Sequence, residues 1–327
     1  MKALEKLPKV SIIVTALDNE HTIGECLKSI FELDYPSELM EVLVVDGGSE
    51  DSTVKIVENY PVKLFVKPLN APAAYNYALK MASADIVGFI DADAKVEKDW
   101  LRKLIVHLYD PKVAGASGTI KTWNYNSVLP RCIGYDMEYR YSRIKGETNR
   151  VATMNLLLKK SIIEEVGGFN ENLPTQYETD PAVRITSRGY KIILEPAAKC
   201  YHFNRSTWRD YFKQQFKYGK NTLKLYLKMP QLIKGDAITD FSMNIQPILL
   251  VFSVLFALLG FFEGIFWSFS AILAAVLCAI FLFYAVKLAY LNRDPSALTL
   301  FAIYFVRAVA WTLGGLISLI RLLKSGA

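Results

Sequence analysis

Short apolar runs alternate with amphipathic segments along the first part of the chain. The apolar, β-branched runs predict strands buried on both faces, at Val10–Leu17, Val42–Asp46, Lys63–Pro68 and Ile86–Asp91. Helical spacing of apolar positions predicts helices at Thr22–Leu33, Ser52–Asn59 and Ala73–Ala82. Strands and helices that alternate in this way indicate an α/β domain with a mostly parallel sheet, which we place at residues 1–205.

Residues 206–240 combine aromatic positions at helical spacing with a series of basic ones. The basic residues are Arg209, Lys213, Lys217, Lys220, Lys224, Lys228 and Lys234. A basic, aromatic amphipathic helix that directly precedes an apolar region is typical of the membrane interface. The alternative is a helix that packs on its own domain and presents a solvated basic face.

Residues 241–327 are the most hydrophobic part of the chain. Between residues 246 and 286 the only charged side chain is Glu263. Three segments approach the roughly 20 residues that a bilayer-crossing helix needs, near Gln246–Phe262, Ile265–Leu291 and Leu298–Ile320. We therefore expect a transmembrane region of about three helices, whose first two form a hairpin with Glu263 at the outer turn.

Charge indicates how this region is oriented. The basic residues before the first span place the preceding domain in the cytoplasm, and the N-terminus lacks a signal-peptide pattern, so we expect a multi-pass cell-membrane protein. Lys287 and Arg293 fit a second cytoplasmic loop. Three crossings would put Arg321 and Lys324 outside, against the same rule, so either the third segment does not fully cross or the charge bias is overruled. Arg307 lies within that segment, where it could meet a lipid phosphate, snorkel or pair inside the bundle.

Composition excludes several classes of protein. With 52% hydrophobic and 21% charged residues over 327 positions, the chain is not disordered. A net charge of +6 is modest, and we expect no nucleic-acid partner. The four cysteines lie far apart without a CxxC pair, which argues against a disulfide scaffold or a zinc site.

Acidic residues follow three of the predicted strands. Asp18 and Glu20 follow the first strand, Asp46 closes the second, and Asp91 and Asp93 come at the end of the fourth. Because ligands bind at the carboxyl edge of open α/β sheets, we expect these clusters to line one crevice. Asp46 precedes a Gly-Gly-Ser turn, so it either accepts hydrogen bonds from a base or ribose or belongs to an ordinary Asp-Gly turn.

Asp91 and Asp93 predict a metal site. Two carboxylates this close repel each other, and a divalent cation relieves the repulsion. Oxygen ligands suit Mg²⁺ or Mn²⁺, which keep coordination positions for water and substrate phosphates. Such an ion would neutralise a leaving diphosphate. The alternative is a solvated turn.

Over residues 10 to about 220, these motifs resemble those of family 2 glycosyltransferases with a GT-A fold. SIIVTALDNEHTIGECLKSI is similar to the opening segment of that family, although Thr-Ala-Leu-Asp replaces the usual Pro-x-Tyr-Asn. VVDGGSEDST is similar to the family's Asp-Asp-Gly-Ser-x-Asp-x-Thr. NAPAAYNYALKMASADIVGFIDAD matches the stretch that leads into the metal motif.

The resemblance implies roles for individual residues on the donor side. It implies that Asp46 contacts the nucleobase, that Asp91 lies near the sugar nucleotide and that Asp93 is the principal metal ligand. Asn76 is retained from the family's pattern, and we count it, with Asp18 and Glu20, among the substrate-binding residues.

A second motif implies the acceptor side of the site. QYETDPAVRITSRGYKI is similar to the family's acceptor-side motif of paired acids, Leu-Arg and Gly-Tyr. Counting back from Gly189 places Glu178 at the catalytic aspartate and Asp180 at the second acid, whereas the letters alone make Asp180 the base. The assignment stays open between the two, and the spacing favours Glu178. Either carboxylate could accept a proton from an acceptor hydroxyl.

The segment CYHFNRSTWRDYFKQQFKYG is similar to the one that follows the catalytic motif in the family. Gln214, Lys217 and Tyr218 have the spacing of the Gln-x-x-Arg-Trp motif of membrane synthases, with lysine lacking the bidentate fork of arginine. His202 and Arg205 could reach the diphosphate or the metal, and the alternative for His202 is a structural role.

The resemblance thus implies an inverting, metal-dependent transfer from a UDP- or GDP-linked sugar. The predicted membrane segments favour a membrane-associated acceptor, either a polyprenyl phosphate or a lipid-linked glycan. The alternatives are a processive polysaccharide synthase and a catalytically inactive, nucleotide-binding membrane scaffold.

Overall fold

The structure is a computed structural model that describes residues 7–144, 146–173, 175–236, 238–239 and 241–325. The first six residues of the N-terminal stretch that lacks a signal-peptide pattern lie outside this part. The chain separates into two compact units, which are Met1–Trp123 with Ile144–Phe203, and Asn124–Arg143 with Asn204–Ala327.

Strands and long helices alternate in the first half of the chain. The strands are β1 (Val10–Ala16), β2 (Met40–Asp46), β3 (Lys63–Val66), β4 (Ile86–Asp91), β5 (Ala94–Val96), β6 (Val113–Thr122), β7 (Leu156–Lys159) and β8 (Lys191–His202). The α-helices are α1 (Ile23–Phe31), α2 (Thr53–Val57), α3 (Ala71–Met81), α4 (Trp100–Ile105), α5 (Val128–Tyr141), α6 (Lys160–Glu165), α7 (Thr179–Ser187), α8 (Trp208–Lys228), α9 (Phe241–Leu259), α10 (Ile265–Asn292) and α11 (Leu300–Ser325).

The first unit is built on one mixed sheet with the strand order β3-β2-β1-β4-β7-β6-β8-β5. Strands β3, β2, β1 and β4 are parallel, as the sequence predicted for this half. Strand β7 then pairs antiparallel with both β4 and β6, and β5 pairs antiparallel with β8. The sheet is therefore less uniformly parallel than predicted, because strand and helix no longer alternate regularly after Trp100.

Helices cover both faces of this sheet. Ile12 and Val14 of β1 belong to one buried cluster with Trp100, whereas Ile13 points into the other cluster with Tyr75. Burial on both faces explains why the central strands are continuously apolar. The edge of the sheet that carries the acidic residues lies between the two layers of helices.

The second unit contains the apolar helices. Among the residues that the structure describes, three segments are long and apolar enough to cross a membrane: Phe241–Leu259, Ile265–Asn292 and Pro295–Lys324. Helices α9 and α10 pack together as the predicted hairpin, where the Ser270 hydroxyl donates to the Ser253 carbonyl at 2.8 Å. The sequence prediction of a helical, apolar C-terminal region is confirmed.

Helix α5 also belongs to the second unit, although the sequence analysis placed it in the domain at residues 1–205. Its buried face, Leu129, Cys132 and Tyr135, shares a core cluster with Phe281 of α10 and Leu300 of α11. This apolar contact is between segments more than one hundred residues apart in sequence, so local periodicity did not reveal it.

Arg307 of α11 is buried in an ion pair within the second unit. Its guanidinium lies 3.2 Å from the Asp136 carboxylate of α5, which also accepts a hydrogen bond from the Tyr304 hydroxyl at 2.9 Å. Arg140 approaches the same carboxylate to 3.1 Å. Of the alternatives that the sequence left open for Arg307, the structure shows pairing inside the bundle.

Gly219 of α8 lies directly against the backbone of α11. A Cβ atom there would lie 2.5 Å from Trp311 Cα. We predict that Gly219→Ala lowers the thermal unfolding temperature in detergent, because overpacking costs about 1–3 kcal/mol. Gly264→Ala is the matched control, since nothing lies within 4 Å of its Cβ position. Equal melting temperatures for the two variants would contradict this packing.

Candidate functional site

The register of three parallel strands brings the acidic clusters to one edge of the sheet. Asp46 of β2 lies opposite Ala16 of β1, and Asp91 of β4 lies opposite Thr15 on the other side of β1. Neighbouring strands are about 4.8 Å apart, so the acidic ends of β2 and β4 flank the end of β1. The expected convergence at the carboxyl edge is therefore present.

Asp18 and Glu20 fasten the loop after β1 to the loop after β2. The Asp18 carboxylate accepts a hydrogen bond from the Glu50 amide at 2.9 Å, and the Asp18 amide donates to the Ser49 hydroxyl at 2.9 Å. The Glu20 carboxylate accepts from the Ser52 amide at 3.0 Å. These bonds hold the two loops in one arrangement, so the two acids position the crevice wall.

Asp46 is completely buried and shapes its own turn. One carboxylate oxygen accepts from the Gly48 and Ser49 amides at 2.9 and 2.7 Å, and the other accepts from the Ser49 hydroxyl at 2.5 Å. Gly48 has a φ of +94°, which favours glycine. The Asp-Gly turn is thus formed, and the nucleobase contact of Asp46 stays a prediction.

At this edge of the sheet, the ionised form of Asp91 is disfavoured. Burial, followed by the charge of Asp93, raises the pKa of Asp91 to about 6. The Tyr75 hydroxyl donates to Asp91 Oδ1 at 2.5 Å and partly offsets this effect. The repulsion expected from the Asp-Ala-Asp sequence is therefore present in the folded protein.

His202 is brought to Asp93 by the pairing of β5 with β8. In this antiparallel pair Ala94 lies opposite His202, and the Phe203 amide donates to the Asp93 carbonyl at 2.8 Å. His202 Nε2 lies 3.5 Å from Asp93 Oδ1, and the imidazole is 8% exposed. A nitrogen donor thus lies beside the acidic pair, and metal binding by His202 stays a prediction.

These donors fit an ion that substrate helps to hold. No group of three or more His, Cys, Asp and Glu side chains within the described residues is arranged to hold a metal by itself. Asp91, Asp93 and His202 instead offer two carboxylates and one imidazole. Mg²⁺ is often held by one or two carboxylates and completed by water and phosphate oxygens, whereas structural zinc sites are closed by four protein ligands.

Glu178, immediately before α7, has the environment of a proton acceptor. It is half-buried, and this burial raises its pKa to about 7. The charge of Arg150 lowers that pKa, and the charge of Asp91 raises it. Glu178 therefore belongs to the same unit as Asp91 and senses its charge.

Asp180 has a different environment. Its Oδ2 lies 3.0 Å from Arg184 Nε, one turn further along α7, and the residue is 6% exposed. Arg184 also donates to the Gly168 carbonyl at 2.6 Å. The ion pair therefore connects α7 to the loop that precedes it, which is a structural function for Asp180.

Asn76 of α3 anchors that same loop. Its Oδ1 accepts from the Phe169 amide at 2.8 Å, while Nδ2 donates to the Phe169 carbonyl at 2.9 Å and to Glu171 Oε1 at 2.8 Å. A Cβ at Gly168 would lie 2.6 Å from Asn76 Oδ1. The amide thus positions the segment that leads to Glu178.

The predicted site residues divide between the two units. The first unit holds nine of them, namely Asp18, Glu20, Asp46, Asn76, Asp91, Asp93, Glu178, Asp180 and His202. The second unit holds Gln214, Lys217 and Tyr218 on α8 and Arg205 just before it. Arg205 and Lys217 are exposed, and Gln214 and Tyr218 are half-buried.

Two side chains at the site were not among the predicted residues. Tyr75 bonds to Asp91, and Arg150 influences Glu178 electrostatically. Tyr75 lies next to Asn76 in the quoted motif, so it could have been found there. Arg150 lies in an irregular segment that offers no such signal.

Comparison with known proteins agrees with this geometry. The family model described as "Glycosyl transferase family 2" matches residues 11–167. Probable glycosyltransferase YdaM of Bacillus subtilis is 27% identical over an alignment of 243 residues that covers 69% of this chain and 58% of that protein. Poly-beta-1,6-N-acetyl-D-glucosamine synthase of Staphylococcus aureus is 26% identical over an alignment of 244 residues that covers 69% of this chain and 57% of that protein.

The fold is also shared with a solved structure. Mannosyltransferase PcManGT from Pyrobaculum calidifontis, in complex with GDP-Man and Mn²⁺, superposes with a TM-score of 0.62 and 22% identity, over 96% of this chain and 88% of that one. This likeness shows the GT-A fold. The chain spans less than two thirds of the length of the two relatives from Bacillus and Staphylococcus.

Removing the Asn76 amide should destabilise the loop before α7. We predict that Asn76→Ala lowers the free energy of unfolding by about 1–3 kcal/mol, because the Phe169 amide and carbonyl lose their partner. Urea titration of the protein in detergent measures this. Asn59→Ala is the control, since its side chain bonds only to carbonyls of its own helical turn and is exposed. If both variants unfold at the same denaturant concentration, the anchoring role of Asn76 is wrong.

Proposed function

Because residues 11–167 form a family 2 glycosyltransferase domain of the GT-A fold, we propose that this glycosyltransferase moves a hexosyl group from a nucleoside-diphosphate sugar to a membrane-associated acceptor. One observation carries the proposal. The acidic pair Asp91 and Asp93 lies beside His202 at the carboxyl edge of the parallel strands, and the charge of Asp91 contributes to the raised pKa of Glu178.

The donor nucleotide binds at the loops after β1 and β2. Their mutual hydrogen bonds through Asp18 and Glu20 keep the crevice wall in place before the donor arrives, which reduces the entropic cost of binding. Asp46 sets the conformation of the Gly-Gly-Ser turn against which the base would lie. The solved relative that holds GDP-Man supports a GDP-linked donor, and a UDP-linked donor has the same diphosphate chemistry.

Asp93, Asp91 and His202 are the residues that would hold Mg²⁺ or Mn²⁺. The bound ion would supply positive charge to the departing diphosphate. Mn²⁺ in the solved relative supports this assignment. The raised pKa of Asp91 supports it further, because a cation removes the repulsion that disfavours two ionised carboxylates.

Glu178 is the proposed base in a single displacement. The acceptor hydroxyl oxygen attacks the anomeric carbon, the bond from that carbon to the diphosphate oxygen breaks, and the hydroxyl proton moves to the Glu178 carboxylate. One displacement inverts the anomeric configuration. Asp180 is already paired with Arg184, so it is less available for proton transfer.

The raised pKa of Glu178 bears on the acceptor. A hydroxyl acceptor must lose a proton, whereas a phosphate oxygen is already anionic at neutral pH and needs no base. Glu178 therefore favours the hydroxyl of a lipid-linked glycan over a polyprenyl phosphate. The apolar helices of the second unit support a lipid-borne acceptor, and the positive-inside rule supports a cytoplasmic active site.

A processive polysaccharide synthase is the second candidate. The Staphylococcus relative named as a polymer synthase favours it. Three apolar helices are few for a secretion channel, and lysine and tyrosine replace the Arg-Trp of the synthase motif. The length of the product after incubation with a labelled donor distinguishes the two candidate functions. A long polymer would support the processive synthase over the transfer of single sugar residues.

Metal dependence is tested through donor binding. We predict that Mn²⁺ with one nucleoside diphosphate, GDP or UDP, raises the melting temperature of the protein in detergent more than the nucleotide alone. Asp93→Ala should lose the Mn²⁺-dependent part of this shift together with sugar transfer. Asp99→Ala, an exposed acid of the same segment, is the control. Transfer that survives Asp93→Ala would refute the metal assignment, and no transfer by the unmodified protein would support the inactive scaffold.

The base is tested by pH dependence. Because Glu178 must be ionised to accept a proton, turnover should rise with pH and level off above about 7. Glu178→Gln should lower kcat by about 10²–10⁴-fold with little change in donor affinity. Asp180→Asn should instead lower stability, because it removes the ion pair with Arg184. If Asp180→Asn alone abolishes turnover in a protein of unchanged stability, Asp180 is the base.

A further inference from the structure

Helix α11 packs mainly on α8 and much less on the α9–α10 hairpin. The Trp311 indole donates to Gln215 Oε1 at 2.9 Å. Glycines on both helices allow backbone contact, since a Cβ at Gly314 would lie 2.4 Å from the Phe216 carbonyl oxygen. This distance leaves no room for a side chain between the two helices, so α8 and α11 are in direct backbone contact.

The contacts between the two helices begin near the middle of α11. Gln215 contacts Trp311, and the backbone nitrogen of Lys220 lies close to Gly314. Burial lowers the pKa of Lys220, and the positive charge of Arg321, which comes later in α11, lowers it as well. Helix α8 therefore flanks the second half of α11.

Helix α5 flanks the first half of α11. Cys132 Sγ lies 3.4 Å from the Ser296 carbonyl oxygen just before α11, and Asp136 bonds to Tyr304 and Arg307 inside it. Because α5 is joined to the first unit at both of its ends, it lies on the same side of the membrane as that unit. The beginning of α11 lies there as well.

A crossing α11 would carry polar neighbours into the hydrocarbon. Lys213, Lys217 and Lys224 are exposed on α8, alongside the second half of α11. Charged side chains at that depth are costly unless they face a partner or a water-filled cavity. In contrast, α9 and α10 pack on each other and expose apolar side chains over most of their length.

The outer face of the α8–α11 pair has the composition of a surface that binds to membranes. Apolar side chains of α11 recur every three or four residues and are 37–75% exposed: Leu313, Leu316, Ile317, Ile320 and Leu323. The lysines of α8 provide the positive charge. An apolar stripe beside basic residues matches a leaflet with anionic headgroups.

We propose that α11 does not cross the bilayer but lies with α8 along the membrane surface, on the side of the bilayer where the first unit is. The bilayer is then crossed twice, by α9 and α10. The C-terminus returns to the side of the first unit, so Arg321 and Lys324 obey the positive-inside rule and the turn with Glu263 lies on the opposite side. This arrangement does not depend on the proposed reaction.

Labelling from each side of the membrane tests this topology. Lys324→Cys, Lys55→Cys and Glu263→Cys in the full chain report the C-terminus, the first unit and the hairpin turn. A membrane-impermeant maleimide is applied to right-side-out and inside-out vesicles. The unmodified chain gives the background, since Cys26, Cys132 and Cys200 are buried and Cys278 lies within α10.

We expect Lys324→Cys to be labelled in the same vesicles as Lys55→Cys, and Glu263→Cys in the opposite ones. Labelling of Lys324→Cys together with Glu263→Cys would overturn the proposal.

Depth measurement tests the orientation of α11 independently. Spin labels at Leu313→Cys and Ile320→Cys are seven residues apart, which is about 10 Å along a helix. Accessibility to oxygen and to a nickel chelate, measured by electron paramagnetic resonance in vesicles with anionic lipid, gives their depths. Ile272→Cys and Ala279→Cys on α10, with the same separation, are the control pair.

We expect equal depths for the two α11 positions and depths that differ by about 10 Å for the two α10 positions. A difference on α11 as large as that on α10 would show that α11 crosses the bilayer.

Discussion

The repulsion between Asp91 and Asp93 is the constraint on which the first unit depends. The two carboxylates lie at the end of a buried strand, where little water is present to screen them, and the pKa of Asp91 is raised as a result. The protein tolerates this conflict by surrounding it with the Tyr75 hydroxyl and the His202 imidazole. In the proposed function, a divalent cation and an anionic diphosphate would complete the balance of charge.

Much of the polar structure around this pair positions the backbone. Asp46 uses its carboxylate on its own turn, Asn76 holds the segment before α7, and Asp180 pairs with Arg184. Because these groups are buried or saturated with hydrogen bonds, the loops at the crevice are arranged before substrate binds. Glu178, whose pKa is raised by burial, is the acid to which we assign proton transfer in the proposed function.

The second unit also contains buried charged side chains. Asp136 is shared by Arg140 and Arg307 and by the Tyr304 hydroxyl, so charged groups are buried without losing their partners. Through these contacts α5, a polar helix, is joined to a helix whose composition alone is that of a membrane span. A hydropathy profile describes each helix separately, so it does not reveal that a polar helix packs against an apolar one.

The sequence by itself determined the parallel strands, the helices between them, the acidic strand ends and the apolar C-terminal region, because periodicity and turn residues are local properties. Only the tertiary structure decided the antiparallel pairing of β7 and β5, the place of His202 beside Asp93, the membership of α5 in the second unit and the different environments of Glu178 and Asp180. Each of these depends on contacts between distant segments, and on burial that changes the energy of a charge. No local pattern encodes those contacts.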